Sequence, residues 1–171
     1  ALLRRKNLRV ITVTNTEPVG GWEYRSVPGG LLVQEVDAIA LDTSDWRCAT
    51  TRQPSTEELE TLAFAWRAVK WVKSNAIVLA QPGTIVGVGA GQPNRVESVR
   101  IAARVAGERA QGSVLASDAF FPFADGVEAA ADAGVRAIVQ PGGSVRDGET
   151  IAVAEARGMT MMLTGRRHFR H

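Results

Sequence analysis

The chain is poor in the residues that usually announce chemistry. Its 171 residues include one cysteine, two histidines and one tyrosine. The lone Cys48 excludes an intrachain disulfide framework and any metal site built from several cysteines. It also makes a reducing, cytoplasmic setting the default expectation. His168 and His171 do not form a His-x-x-x-His zinc motif, so zinc is not expected. No apolar run approaches the roughly 18 residues of a membrane span, and no signal peptide is recognisable. Charge of one sign is missing too: 20 basic residues face 18 acidic ones. That balance makes no basic stripe, so nucleic acid is not an expected partner. An initiator methionine is also lacking. The opening Ala1-Leu2-Leu3-Arg4-Arg5-Lys6 reads as the end of a helix entering a strand, as if the sequence begins within a longer protein.

The segments present read as a layered α/β domain. Leu8 to Val13 alternates and is β-branched, as a strand does. Trp22–Ser26 and Leu31–Val36 flank Pro28-Gly29-Gly30, a turn signal that predicts a hairpin. Residues 37–54 give no sharp pattern. Ser55-Thr56-Glu57-Glu58 is a capping box: the Ser hydroxyl accepts from a free N–H and Glu58 reaches back. Leu59, Leu62, Ala63, Trp66 and Val69 follow at helical spacing, predicting a helix to about Trp71. Trp66 and Trp71 are both expected in the core. Residues 76–80 are apolar throughout, as in a strand covered on both faces. Pro82-Gly83 turns into a second strand over 84–88. Asn94 then caps a helix running to Ala106. Strands at 114–116, 137–139 and 159–163 alternate with helices near 126–133 and 148–157. This order predicts parallel pairing in one sheet flanked by helices, within a single domain.

In such sheets ligands bind beyond the carboxyl ends of strands. The unusual segments lie there. Ser117-Asp118-Ala119-Phe120-Phe121-Pro122-Phe123-Ala124-Asp125 holds three of the five phenylalanines between acids. Rings can sandwich a flat ligand while carboxylates orient its polar groups. Phe121 is the ring expected in the core; Phe120, Phe123 and Asp125 are expected to face ligand. Residues 87–95 are glycine-rich and open a helix, which favours an anion, and Arg95 adds a cationic fork. A structural tight turn is the plainer reading, because no P-loop Gly-Lys-Ser/Thr is present. Ser74-Asn75 reads locally as a helix stop. Gly142-Gly143-Ser144 reads as a connection whose N–H groups could hold an anion. For the terminal Arg166-Arg167-His168-Phe169-Arg170-His171, a solvated tail and an anion-facing Arg167 stand equal.

Together these motifs resemble a known family. Lys73-Ser74-Asn75-Ala76-Ile77, Gly87 to Gln92, Ser117 to Asp125, Gln140 to Ser144 and Arg167 to His171 occur in that order. They are similar to the C-terminal half of the AICAR transformylase domain of the AICAR transformylase/IMP cyclohydrolase family. The likeness covers nearly the whole chain and is clearest from about Thr56 onward. It implies a cytidine-deaminase-like α/β subdomain, with the cyclohydrolase domain and the first transformylase subdomain absent. It implies formyl transfer from 10-formyltetrahydrofolate to AICAR, giving FAICAR, in a homodimer that shares its active site. By motif, Asn75 and Arg167 are the catalytic residues. Asn75, Arg95, Phe120 and Arg167 would bind AICAR; Val96, Phe120, Pro122, Phe123 and Asp125 would bind the folate. A potassium ion is implied near Val72, Ser74, Asp118 and His171. Pro93-Asn94, Arg166 and His168 depart from the family pattern. The family's catalytic Lys-His pair lies upstream of this sequence, so the chain alone is expected to be inactive. A non-catalytic ligand-binding or dimerisation module is the competing reading. A generic nucleotide-binding domain is disfavoured by the missing phosphate loop.

Overall fold

A computed structural model of the chain describes residues 9, 11, 21–37 and 42–170. The chain divides into two units, Ala1–Ala40 and Leu41–His171. The strand expected over Leu8–Val13 lies mostly outside the described residues.

In the first unit, β1 (Trp22–Val27) and β2 (Gly30–Glu35) form an antiparallel hairpin. Its register sets Trp22 against Glu35, Tyr24 against Val33 and Ser26 against Leu31. Alternation puts these residues on one face. Trp22, Tyr24, Leu31 and Val33 are all exposed there. The opposite face carries Glu23, hydrogen-bonded to Gln34 and ion-paired with Arg25. The hairpin thus carries its two aromatic residues on one face, while Leu32 and Val27 are exposed on the other beside the charged pair.

The second unit is built on a six-stranded sheet of order β3-β8-β7-β6-β4-β5. These strands are β3 (Arg47–Cys48), β4 (Ile77–Gln81), β5 (Thr84–Gly89), β6 (Val114–Ser117), β7 (Ala137–Gln140) and β8 (Thr160–Leu163). The β6-β7-β8 run is parallel, while β4 opposes both β5 and β6, and β3 opposes β8. Four of the six strands therefore point one way. The short edge strand β3 falls in the stretch that gave no sequence pattern; two residues are too few to show alternation.

Helices cover both faces, as the continuously buried strands require. Val78, Ala80, Val114, Ala116, Ala137, Val139 and Met162 pack under α1 (Thr56–Val69) through Leu62, Ala65, Trp66 and Val69. Ile77, Leu79, Leu115, Ile138 and Met161 point to the other face. There they meet α2 (Arg95–Ala106), α3 (Asp125–Asp132) and α4 (Asp147–Ala156). Successive strand residues thus serve opposite cores, which is the period of two expected of a strand. Among the described residues no helix is long and apolar enough to cross a membrane.

Two local features explain the sequence signals. The Ser55 capping box forms as predicted: Glu58 N–H donates to Ser55 Oγ and Ser55 N–H to Glu58 Oε2. The helix ends at Val69, two residues short of the expected boundary, and Trp71 is not core but 68% exposed. It has left the helix, and Lys70 and Arg170 lie over its ring. The glycines of β5 answer to packing rather than to ligand. A Cβ on Gly89 would sit 1.8 Å from Ser98 O, and one on Gly87 2.2 Å from Ala102 O. They let α2 lie directly on the strand.

Glu58 also pairs with Arg52 at 2.5 Å. Burial pushes its carboxyl up, but the Arg52 guanidinium and the Ser55 N–H outweigh burial and hold it below the ordinary 4.5. A depressed carboxylate contributes stability that is present above its unfolded value and is lost as pH falls through its folded value. Ser55→Ala should cost about 1 kcal/mol, read as a lower urea midpoint at pH 7. Glu58→Gln should flatten the stability decline below pH 4.5. An unchanged acid profile in that variant would remove this role for Glu58.

Candidate functional site

A cleft of about 410 Å³ opens in the second unit, lined by Asn75, Arg95, Val96, Phe120, Pro122, Phe123, Asp125 and Arg167, with Phe169 beside them. The eight residues expected to contact ligand thus share one cavity. Topology explains the gathering. The carboxyl ends of β5, β6 and β8 and the start of β4 lie at one edge, since Ile77 pairs with both Gly89 and Ser117. Each lining segment leaves or enters the sheet at that edge.

The aromatic loop is pinned from below. Phe121 is fully buried, and its N–H donates to Gln140 Oε1 at 2.9 Å. A Cβ on Gly126 would meet the Phe121 ring at 2.6 Å, so the ring packs directly against α3. With its centre anchored, the loop presents Phe120 and Phe123 to the cleft; Phe123 is 51% exposed. Asp125 opens α3, and its Oδ1 accepts the Gly126 N–H at 2.7 Å. Carboxylates are favoured at that helix end. Gln140 heads the Gln140–Ser144 motif, and its part in holding Phe121 is visible only in the structure.

Arg95 is the structural centre of the site. Its side chain is 6% exposed and that of Asp118 1%. Nη1 donates to Asp118 Oδ1 at 2.5 Å and to Ser117 Oγ at 2.9 Å; Nη2 donates to Asn75 Oδ1 at 3.0 Å. Three of the five guanidinium donors are therefore committed inside the protein. Asp118 Oδ2 accepts from Ser74 Oγ, and Asp118 O accepts the His168 N–H. Ser74 N–H donates to Arg170 O. Asp118 thereby joins the start of β4, the head of α2 and the C-terminal segment. Asn75 is no helix stop, since α1 ends six residues earlier. Its Nδ2 donates to Gln92 O at 2.8 Å, which fixes the amide at the cleft wall.

The terminal segment is ordered over residues 165–170 rather than a solvated tail. His168 is buried with its ring 4.6 Å from that of Trp66, and it does not line the cleft. Arg167 is exposed, lines the cleft, and lies 4.9 Å over Phe169. Stacking holds a guanidinium while leaving its donors available. The Gly142–Ser144 turn is occupied by the protein itself: Gly143 and Ser144 N–H groups donate to the Asp147 carboxylate. No external anion is needed there.

For potassium, Asp118 bears on the fit. One of its oxygens accepts from Arg95 and the other from Ser74, and each keeps a further acceptor site. His171 lies outside the described residues.

Arg95 and Asp118 should behave as a scaffold and Arg167 as a ligand contact. Asp118→Asn leaves a buried guanidinium without its counter-charge, expected to cost about 3–5 kcal/mol by denaturant midpoint. Arg167→Ala should leave the midpoint within about 0.5 kcal/mol. Equal losses in the two variants would contradict this division.

Comparison with known proteins agrees with the sequence resemblance. The family model described as AICARFT/IMPCHase bienzyme matches residues 1–105. The chain is 56% identical over 172 residues to the bifunctional purine biosynthesis protein PurH of Desulfitobacterium hafniense, covering 99% of this chain and 33% of that protein. It is 56% identical to the PurH of Chloroflexus aurantiacus, covering 100% of this chain and 34% of that protein. The chain thus spans about a third of the length of these relatives. Among solved structures, Acinetobacter baumannii RibD aligns with a TM-score of 0.42 at 21% identity, covering 63% of this chain and 34% of RibD. A likeness of that size bears on neither fold nor site. The chain belongs to the AICARFT/IMPCHase bienzyme family.

Proposed function

We propose that this chain supplies one wall of a formyl-transfer site, in which 10-formyltetrahydrofolate gives its formyl group to AICAR. One observation carries the reading: Phe120, Phe123, Asp125 and Arg167, which has no ion pair among the described residues, line a single cleft beside Asn75. Phe120 and Phe123 offer faces to the flat rings of substrate and pterin. Asp125 can accept hydrogen bonds from pterin N–H groups, with Val96 and Pro122 packing on the ring. Asn75, Arg95 through its two uncommitted donors, and Arg167 hold AICAR.

The chemistry assigns roles within that arrangement. The AICAR amine is a weak nucleophile, because its lone pair is delocalised into the imidazole and carboxamide. It attacks the formyl carbon, forming a C–N bond and a tetrahedral oxyanion. Collapse breaks the bond to folate N10, which leaves with a proton as the amine loses one. Arg167 and Asn75 supply charge and orientation to the oxyanion-bearing state. Proton removal needs a base within hydrogen-bond reach. No histidine among the described residues lines the cleft. The base would then be the Lys-His pair that the family resemblance puts upstream of this sequence, and the chain alone should be inactive. The apolar hairpin face of Trp22, Tyr24, Leu31 and Val33 offers a surface to a second copy. A cytoplasmic setting goes with this reading.

Calorimetry with AICAR and a non-reactive folate should show binding of both to the chain, with AICAR weakened by Arg167→Ala. No binding of either would reject the reading in favour of an interaction module. Formyl transfer by the chain should fall at least about 10²–10⁴-fold below that of an enzyme with its base in place. Turnover in the ordinary enzymatic range of about 1–10³ s⁻¹ would overturn the assignment of the base. In sedimentation, Trp22→Ser with Leu31→Ser should shift the chain toward monomer. Unchanged association would remove the hairpin from the interface.

A further inference from the structure

Another cavity opens at the opposite end of the sheet from the cleft. It has a volume of about 380 Å³ and lies among the head of α1, the end of β4 and the starts of β6 and β7. The strand pairing shows the separation. Ile77 meets Ser117 at the cleft end of β4 and β6, and Ala80 meets Val114 at the other. Ala80, Pro82 and Val114 give the cavity an apolar lining, while Arg52, Glu57, Glu58 and Arg136 bring charges of both signs.

Two of those charges neutralise each other. Glu58 accepts from Arg52 Nη2 at 2.5 Å and from the Ser55 N–H at 2.9 Å. Arg52 Nη1 donates to Thr160 Oγ1 at 2.5 Å and to Arg136 O at 3.4 Å. This pair belongs to the fold. The other two charges are not engaged. Glu57 and Arg136 are held through their carbonyl oxygens, the first by Thr61 Oγ1 at 2.7 Å and the second by Arg52. Among the described residues neither side chain has a hydrogen bond or ion pair, and both residues are exposed. The stem of Arg136 runs beside Gly112, where a Cβ would lie 4.0 Å from its Cδ. Gln81 Nε2 donates to Arg109 O at 3.0 Å, which leaves the side-chain oxygen of Gln81 for a ligand.

We propose that this cavity binds a free α-amino acid, with its carboxylate on Arg136 and its ammonium on Glu57. Charge decides the class. Once Arg52 and Glu58 are paired, one cation and one anion remain. A simple anion on Arg136 would stand near the Glu57 carboxylate, and a simple cation on Glu57 would stand near Arg136. A zwitterion answers both, and the planar guanidinium fork matches a carboxylate. The remaining volume takes a side chain against Ala80, Pro82 and Val114, with the Gln81 oxygen open to a polar group on it. None of the lining residues belongs to the cleft, so the site stands apart from the AICAR and folate reading.

Amide correlation spectra of the chain, titrated with L-alanine, L-glutamine, acetate and methylammonium, test this. Both amino acids should shift the amides of residues 55–61, 112–114 and 136 along saturating curves. Acetate and methylammonium, each making one charged contact, should bind about tenfold more weakly or worse. Arg136→Ala should weaken the amino acids about tenfold, and Arg136→Lys less, because it keeps the charge and loses the fork. Glu57→Gln should weaken the amino acids and spare acetate. Both side chains are exposed, so the urea midpoints should barely move. Acetate bound as tightly as alanine, or amino-acid affinity untouched by Glu57→Gln, would make the cavity a plain anion site and overturn the proposal. Shifts centred on residues 120–125 and abolished by Arg167→Ala would seat the ligand in the cleft, against it. The absence of any saturable shift at residues 55–61 with either amino acid would also overturn it.

Discussion

The site depends on one buried ion pair. Arg95 and Asp118 meet in the interior, where water cannot stabilise either charge, so each needs the other. A buried pair adds less net stability than its short distance suggests, because desolvation offsets attraction. Its value here is geometric. Arg95 belongs to the head of α2, Asp118 to the loop after β6, and their remaining bonds reach Asn75, Ser74, Ser117 and His168. These segments are far apart in sequence, and apolar packing alone would leave their relative positions soft. The pair with its hydrogen bonds fixes them to within the directionality of those contacts.

The scaffold frees other residues for ligand. Phe121 buries itself so that Phe120 and Phe123 need not. Asp147 fills the glycine turn so that its N–H groups need no anion. Arg95 balances Asp118, which leaves Arg167 and Asp125 as charged groups at the cleft wall. The local charge is thus nearly even, which suits a ligand whose recognition is planar and polar. The arginine stacked at Phe169 extends the same economy, since a ring can hold a cation without neutralising it.

Much of the fold was legible in the sequence because its signals are local. The Ser55 and Asn94 caps, the apolar strand after Asn75 and the strand–helix alternation each follow from residues within one element. Strand direction was less legible: the Pro82-Gly83 turn sets β4 against β5, but nothing in residues 77–81 encodes that β4 also opposes β6. Trp71 failed as a core residue because helical spacing was extended past the true end of α1. The glycines before α2 read equally as a ligand cradle or as close packing, and only Cβ positions on Gly87 and Gly89 separate the two. At the site, ring content made Phe120 and Phe123 visible. The commitment of Arg95 to Asp118 was not, because a pair 23 residues apart leaves no local pattern.

We propose that Arg95, locked to Asp118, scaffolds a cleft whose exposed rings and Arg167 hold flat ligands. A crystal structure of the chain with AICAR and a non-reactive folate tests it most directly. Both molecules should lie against Phe120 and Phe123, with Arg167 bonded to AICAR and the Arg95–Asp118 contact intact. Ligands seated elsewhere, or Arg95 released from Asp118 to bind them, would contradict it.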